Sequence, residues 1–284
     1  MWNRPETPVK QGYTEQCRSG GKGLELFDSH AHFDDKWFDE DRDEVLSGLP
    51  AQGVRYVVNC GINVASVRAS IEMAEKYDFI WAAAGIHPED AMNAPQDLET
   101  ALRPFFEHHK ICAVGEIGLD YHYEFSDPAV QRDIFARQLI LAGEVRKPVV
   151  IHDREAHRDV LEMVRAEREH LTGGVFHCYS GSVEMLRDVL NLGFLISLGG
   201  VVTFKNARRL VDVVSYLPMD RLMLETDSPY MSPEPWRGKR NDSAKMIRTA
   251  ERIAEIKGMR VEEVVQVTTQ NAKTFFGIDS ERAL

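Results

Sequence analysis

Eight short apolar runs, each followed by a charged, amphipathic segment, constrain this chain of 284 residues more than any other feature. The runs are Leu24–Phe27, Val54–Gly61, Phe79–Pro88, Ile111–Tyr121, Pro148–His152, Gly174–Gly181, Phe194–Gly200 and Arg221–Tyr230. Helical spacing marks Val64–Tyr77, Leu98–His108, Pro128–Arg146, Glu155–Arg168, Val183–Leu190 and Asn206–Tyr216, and two helices, Asp242–Lys257 and Val261–Phe275, close the chain. Near-continuous apolar strands alternating with helices predict a parallel sheet covered on its outer side. Eight such units in roughly 250 residues suit a closed (β/α)8 barrel of the TIM type. A doubly wound open sheet has the same periodicity and is the alternative.

No composition break follows Leu24, so residues 24–284 read as one domain. Residues 1–23 are polar, end in glycines and lack an apolar signal core, which predicts a disordered N-terminal extension. No apolar run approaches the ~18 residues of a membrane span. Cys17, Cys60, Cys112 and Cys178 are far apart and form no Cys-x-x-Cys pair, so reduced thiols and a cytoplasmic location are expected. The formal net charge of −11 excludes a broad basic face for nucleic acid, though not a local groove or a metal site that attracts phosphate.

Chemistry-bearing residues cluster at the ends of the runs. His30 and His32 follow the first, in LELFDSHAHFDD, and an extended backbone aims residues i and i+2 to one side. His87 ends the third run, Glu116 lies in the fourth, His152 ends the fifth, His177 lies in the sixth and Asp227 in the eighth. In a barrel, the C-terminal strand ends converge on one site. Each residue alone has an ordinary alternative, as a capped strand end or a hydrogen-bonded core histidine. Together, His30, His32, Glu116, His152, His177 and Asp227 suffice for two divalent ions sharing a carboxylate. Such donors suit Zn²⁺, Mn²⁺ or Mg²⁺, the nitrogens weighing against Mg²⁺ alone.

Asp227, Glu116 and His87 are the catalytic candidates. Asp227 has an oxygen to orient water or accept its proton; the competing reading is a helix cap before Ser228-Pro229. His87, fixed at a turn by Pro88, suits contact with substrate or leaving group better than ligation. Arg154 and His157 lie just beyond His152 and read as phosphate contacts or as a solvated first helical turn. PEPWRGKR, residues 233–240, is the most basic short stretch. Its Arg237, Lys239 and Arg240 can grip phosphates and Trp236 can stack a base, unless this is an ordinary charged loop. Tyr121 and Tyr123 are expected to line the same cleft, with packing as the alternative for Tyr123.

The segments DSHAH, GIHP, VGEIGLDY, VIHDR, FHCYSG, ETDSPY and RGKRN, in this order, resemble the TatD family of metal-dependent deoxyribonucleases, which are amidohydrolase-like barrels. The resemblance runs from Leu24 to Ile278. It implies that His30, His32, Glu116 and Asp227 hold one metal and Glu116, His152 and His177 a second, with Glu116 bridging. It further implies 3′–5′ exonucleolytic hydrolysis of DNA, single-stranded or at 3′ ends, through two-metal activation of water. Ala31 and Phe33 stand where the family often has Cys or Thr and then Leu, and Asp242-Ser243 where Glu-Pro is common. Neither departure touches a ligand; both leave the substrate subtype open. The competing function is an amidohydrolase-type barrel acting on a small amide or phosphoester. Such enzymes often bridge their metals with a lysine from the fourth strand, but Ile111–Tyr123 contains Glu116 and no lysine. A non-catalytic scaffold is opposed by the intact ligand set.

Overall fold

The computed structural model describes residues 23–123 and 125–278. Apart from Gly23, the stretch expected to be disordered, 1–23, lies outside the described residues. Eight strands form one sheet in sequence order: β1 Leu26–Ala31, β2 Val54–Cys60, β3 Ile80–Ala84, β4 Ile111–Asp120, β5 Val149–Arg154, β6 Gly174–Phe176, β7 Leu195–Leu198 and β8 Leu222–Leu224. Every neighbouring pair is parallel. The seam is closed just beyond β8: Asp227 N–H donates to His30 O at 2.9 Å and His32 N–H to Ser228 O at 2.7 Å. The sheet is therefore a barrel, and the open-sheet alternative falls.

The helices are α1 Arg42–Gly48, α2 Val64–Lys76, α3 Leu98–Leu102, α4 Pro128–Val145, α5 His157–Glu167, α6 Val183–Asn191, α7 Arg208–Tyr216, α8 Met246–Lys257 and α9 Val261–Phe276. Local sequence explains their starts. Asn63 Oδ1 accepts Ser66 N–H at 3.0 Å to cap α2, and Asp127 caps α4 ahead of Pro128, whose missing N–H costs nothing in the first turn. The helix expected over Leu98–His108 stops at Leu102, and Arg103–Glu107 continues as a 3-10 turn. Pro104 there has no N–H to extend the α pattern. None of these helices is long and apolar enough to cross a membrane.

The core has two layers. Outward-facing strand residues such as Val57, Ile80, Val114 and Ile151 pack under the helices. Inward-facing Phe27, Val58, Trp81, Ala83, Ala113, Val150, Val175 and Met223 fill the barrel. Helix α9 closes the N-terminal end, where Phe276 stacks on Phe27 with centroids 5.8 Å apart. With that end plugged by apolar side chains, the C-terminal mouth is left for polar ones. Two details bring them together there. β6 and β8 are only three residues long, so the chain leaves the sheet before His177 and Asp227. Asp227 then turns through a left-handed conformation (φ 57°), which Asp adopts more readily than most residues. At Gly118 a Cβ would lie 2.0 Å from His152 O, so only glycine allows β4 and β5 to approach beside Glu116 and His152.

Candidate metal centre

The six residues that the strand ends predicted as metal ligands meet at the mouth. In one set, His30 Nε2 lies 3.0 Å from His32 Nε2, 3.2 Å from Glu116 Oε2 and 3.9 Å from Asp227 Oδ1. His32 Nε2 is 3.4 Å from Glu116 Oε2 and 3.6 Å from Asp227 Oδ1. Four donors around a tetrahedral ion with bonds of ~2.0–2.2 Å would lie about 3.3–3.6 Å apart, so this set fits. In the second set, Glu116 Oε1 is 2.8 Å from His152 Nδ1 and 2.6 Å from His177 Nε2, and the two ring nitrogens are 3.4 Å apart. Glu116 thus offers one oxygen to each set.

The second nitrogen of each ring decides what the first can do. His32 Nδ1 faces Cys60 O at 2.8 Å, and a carbonyl only accepts, so Nδ1 keeps a proton and Nε2 is the nitrogen left for the first set. His152 Nε2 lies 2.9 Å from Asp120 Oδ2, which in the same way frees Nδ1 for the second set. His30 Nδ1 lies 3.4 Å from Cys60 Sγ. His177 Nδ1 is buried without a hydrogen bond, with Glu225 Oε2 at 3.7 Å. His87 is the opposite case. Its Nδ1 accepts Glu89 N–H at 3.2 Å, so Nε2, 3.6 Å from Glu116 Oε1, carries the ring proton and is a donor. That agrees with a substrate contact and opposes ligation.

Charge follows this geometry. Burial alone would raise Glu116, but His177, His30 and His87 hold its carboxyl well below the usual range. Asp227 is likewise lowered against burial, chiefly by His32 and His177. Burial disfavours a charged His152, yet Asp120 and Glu116 push its imidazole up to about 9. His32 and His177 are also raised well above the ordinary histidine value by their carboxylate partners, despite burial. His30 is lowered by burial and by the neighbouring His177.

Four residues that sequence reasoning did not assign support the candidate ligands. Besides binding His152, Asp120 accepts the N–H groups of His122 and Tyr123 at 2.9 and 3.0 Å. It stands four residues after Glu116 on β4, a spacing that returns to the same strand face and was a usable signal. Cys60 holds both rings of the His-x-His pair. Buried Glu225 accepts from the Ser197 hydroxyl and from Cys178 N–H beside His177. Asp28 accepts Thr226 N–H at 2.9 Å, the Thr226 hydroxyl at 2.5 Å and the Ser243 hydroxyl at 2.6 Å, tying His30's strand to the Asp227 turn. Burial pushes its carboxyl up to about 7.

The expected substrate contacts divide. Arg154 ends β5 with its guanidinium 4.7 Å from the Tyr123 ring centroid. Arg237 lies over Phe204 at 4.2 Å, and Lys239 is exposed. Trp236 is half-buried in the same loop. His157 Nδ1 binds Asp153 at 2.8 Å at the start of α5. Two expectations need correction. Arg240 makes a two-pronged pair with Asp41 at 2.7 and 2.6 Å and donates to Trp37 O at 2.7 Å, so it anchors its loop instead of reaching for phosphate. The Tyr121 hydroxyl donates to Asp159 at 2.8 Å, which commits it to α5 and not to the cleft.

Fold and centre together define the class, a metal-dependent barrel hydrolase. Residues 27–277 match the family described as TatD related DNase, and the chain belongs to that family. It is 41% identical over 254 residues to uncharacterized metal-dependent hydrolase YabD of Bacillus subtilis (strain 168), covering 89% of this chain and all of that protein. It is 31% identical over 259 residues to the 3′-5′ ssDNA/RNA exonuclease TatD of Klebsiella pneumoniae (strain 342), covering 89% and 98%. The crystal structure of YJJV, a TatD homolog from Escherichia coli K12, superposes with a TM-score of 0.84 at 28% identity, covering 89% of this chain and 98% of that one.

Proposed function

We propose that this protein is a two-metal nuclease that removes nucleotides from the 3′ end of single-stranded DNA in the cytoplasm. The observation that carries the reading is Glu116, whose two oxygens serve two adjacent donor sets. His30, His32, Glu116 and Asp227 would hold one ion and Glu116, His152 and His177 the other, with Zn²⁺ or Mn²⁺ suiting the nitrogen-rich set. Bound there, the ions would supply Lewis acidity, making water acidic near neutral pH and offsetting charge on phosphoryl oxygens. Asp227 orients the attacking water with the oxygen outside the donor set and takes its proton. His87, with its proton on Nε2, donates to the phosphate or to the leaving oxygen. Arg154, Arg237 and Lys239 hold flanking phosphates. The Klebsiella relative's name supports both the substrate class and the polarity. The free thiols of Cys60, Cys112 and Cys178 accord with a reducing compartment.

The test uses purified protein with and without chelator on single-stranded DNA, RNA and a dinucleotide amide, each strand labelled at either end. Chelator-sensitive shortening from the 3′ end is expected. Cleavage that ignores chelator, or hydrolysis of the amide alone, would overturn the reading.

A further inference from the structure

We propose that Phe125 and Tyr230 are stacking steps, on opposite sides of the metal centre, for the two bases that flank the scissile phosphodiester. The inference rests on the nuclease reading and extends it from the phosphate to the bases. β4 and β8 lie four strands apart in a closed ring of eight, so the loops that follow them face each other across the mouth. Each loop presents an exposed aromatic ring attached to a different donor set.

On the β4 side, Phe125 is 65% exposed and its ring lies 5.5 Å from that of Tyr123. Tyr123 N–H is bound by Asp120, the residue that orients His152. Buried Ser126 pins this loop by donating to Glu89 O at 2.8 Å and accepting Met92 N–H at 3.1 Å. On the β8 side, Tyr230 is 43% exposed, with its ring 6.5 Å from His32 and 6.2 Å from Trp37. Its hydroxyl donates to Asp35 at 2.8 Å and its N–H to Asp227 O at 2.8 Å, so the ring is held in place.

Exposed aromatic rings in loops at the mouth of the barrel, one held by hydrogen bonds and the other packed on a neighbouring ring, favour a flat apolar occupant. A phosphodiester held at the centre necessarily carries one nucleoside to each side, and every base has a π-face to offer. Charge agrees: Arg154 beside Tyr123 suits the phosphate adjoining a base on the Phe125 step. Bases stacked on opposite walls are drawn away from each other, which a paired strand resists. The two steps thus select unpaired ends.

The experiment compares a single-stranded DNA oligonucleotide with two versions, abasic at the 3′-terminal or at the penultimate position. KM and kcat are measured with Mn²⁺, and binding separately by fluorescence anisotropy with Mn²⁺ on strands whose 3′-terminal linkages are phosphorothioates, which resist hydrolysis. Wild-type protein should favour the normal strand over each abasic strand by about tenfold. Phe125→Ala and Phe125→Leu should abolish discrimination at one position and Tyr230→Ala at the other, while Tyr230→Phe, which keeps the ring, should discriminate like wild type. The proposal is overturned if wild type does not discriminate, if both sites govern the same position, or if a variant weakens normal and abasic strands equally. If wild type cleaves no nucleic acid but binding shows the predicted pattern, the nuclease reading fails and the steps stand. If it cleaves without regard to the bases, the steps fail and the nuclease reading stands.

Discussion

Asp120→Asn isolates the group that decides which nitrogen of His152 is available. In the wild type, Asp120 Oδ2 sits 2.9 Å from His152 Nε2, and an ionised carboxylate can only accept, so Nε2 keeps its proton and Nδ1, which donates to Glu116 before metal enters, is the nitrogen left for metal. An asparagine there can turn its NH₂ toward Nε2, which moves the ring proton to Nδ1 and blocks the second donor set. Its carbonyl oxygen can still accept the His122 and Tyr123 N–H groups, so the loop should survive. Loss of such an outer partner typically costs about 10–100-fold in metal affinity, or ~1.4–2.7 kcal/mol. Calorimetric Zn²⁺ titration should therefore show the weaker of two sites falling by that factor, with the site of His30, His32 and Asp227 unmoved. Proton release on metal binding at pH 7.5 should fall as well, because His152 is raised to about 9 partly by Asp120. Two unaltered sites, or two equally weakened ones, would refute the tautomer argument.

Three further outcomes are expected. Asp227→Asn should fold normally yet lower kcat by at least ~10²-fold, the scale of a lost general base; near-normal turnover with metal bound would remove Asp227 from the chemistry. Metal affinity should climb with pH above neutrality, because in the metal-free protein His32, His152 and His177 hold their protons above the ordinary value, His152 up to about 9, and must release them; a flat profile from pH 6 to 9 would contradict this. Their contribution to metal-free stability has the opposite sign, complete below ~6.5 and fading as pH rises through the raised values. Replacing Arg237 and Lys239 with Ala should raise KM for oligonucleotides and flatten its salt dependence by about 0.7 units per lost contact, whereas Arg240→Ala should lower thermal stability and leave the salt slope alone.

The barrel and the convergence of the candidate ligands were legible because both repeat. Eight apolar runs specify eight strands, and histidines and carboxylates at corresponding run ends need no knowledge of which loops touch. Boundaries were less legible. β1 extends to Ala31, so His30 lies within the strand and not beyond it, because Asp28 and Ser29 are buried polar residues that hydrophobicity alone reads as loop. Helix α1 has a single buried residue, Leu46, and so almost no periodic signal. The supporting shell was least legible. Cys60 acts through a backbone carbonyl as well as its thiol, and Glu225 through partners on β7 and in the turn after β6. Arg240 looked like a phosphate contact because it lies in the most basic short stretch; its partner Asp41 is distant in sequence.

On the nuclease reading, an acidic protein must be approached by a polyanion, and the protonation of the centre supplies a reason. Before metal enters, Glu116 and Asp227 are held ionised while His32, His152 and His177 are held protonated, so the centre is close to balanced and the net charge of −11 repels nucleic acid at long range. The same negative field draws divalent cations. If two ions bind and displace those three protons, the centre gains about one positive charge, concentrated at the bottom of a cleft with low-dielectric walls. On the same reading, Arg154, Arg237 and Lys239 would extend that attraction outward along the strand. The charge distribution therefore orders the events: metal first, with release of protons, and nucleic acid second. Oligonucleotide binding should accordingly be weak in chelator, strengthen on metal addition, and lose much of that gain as salt rises past ~0.15 M, where screening acts within about 8 Å.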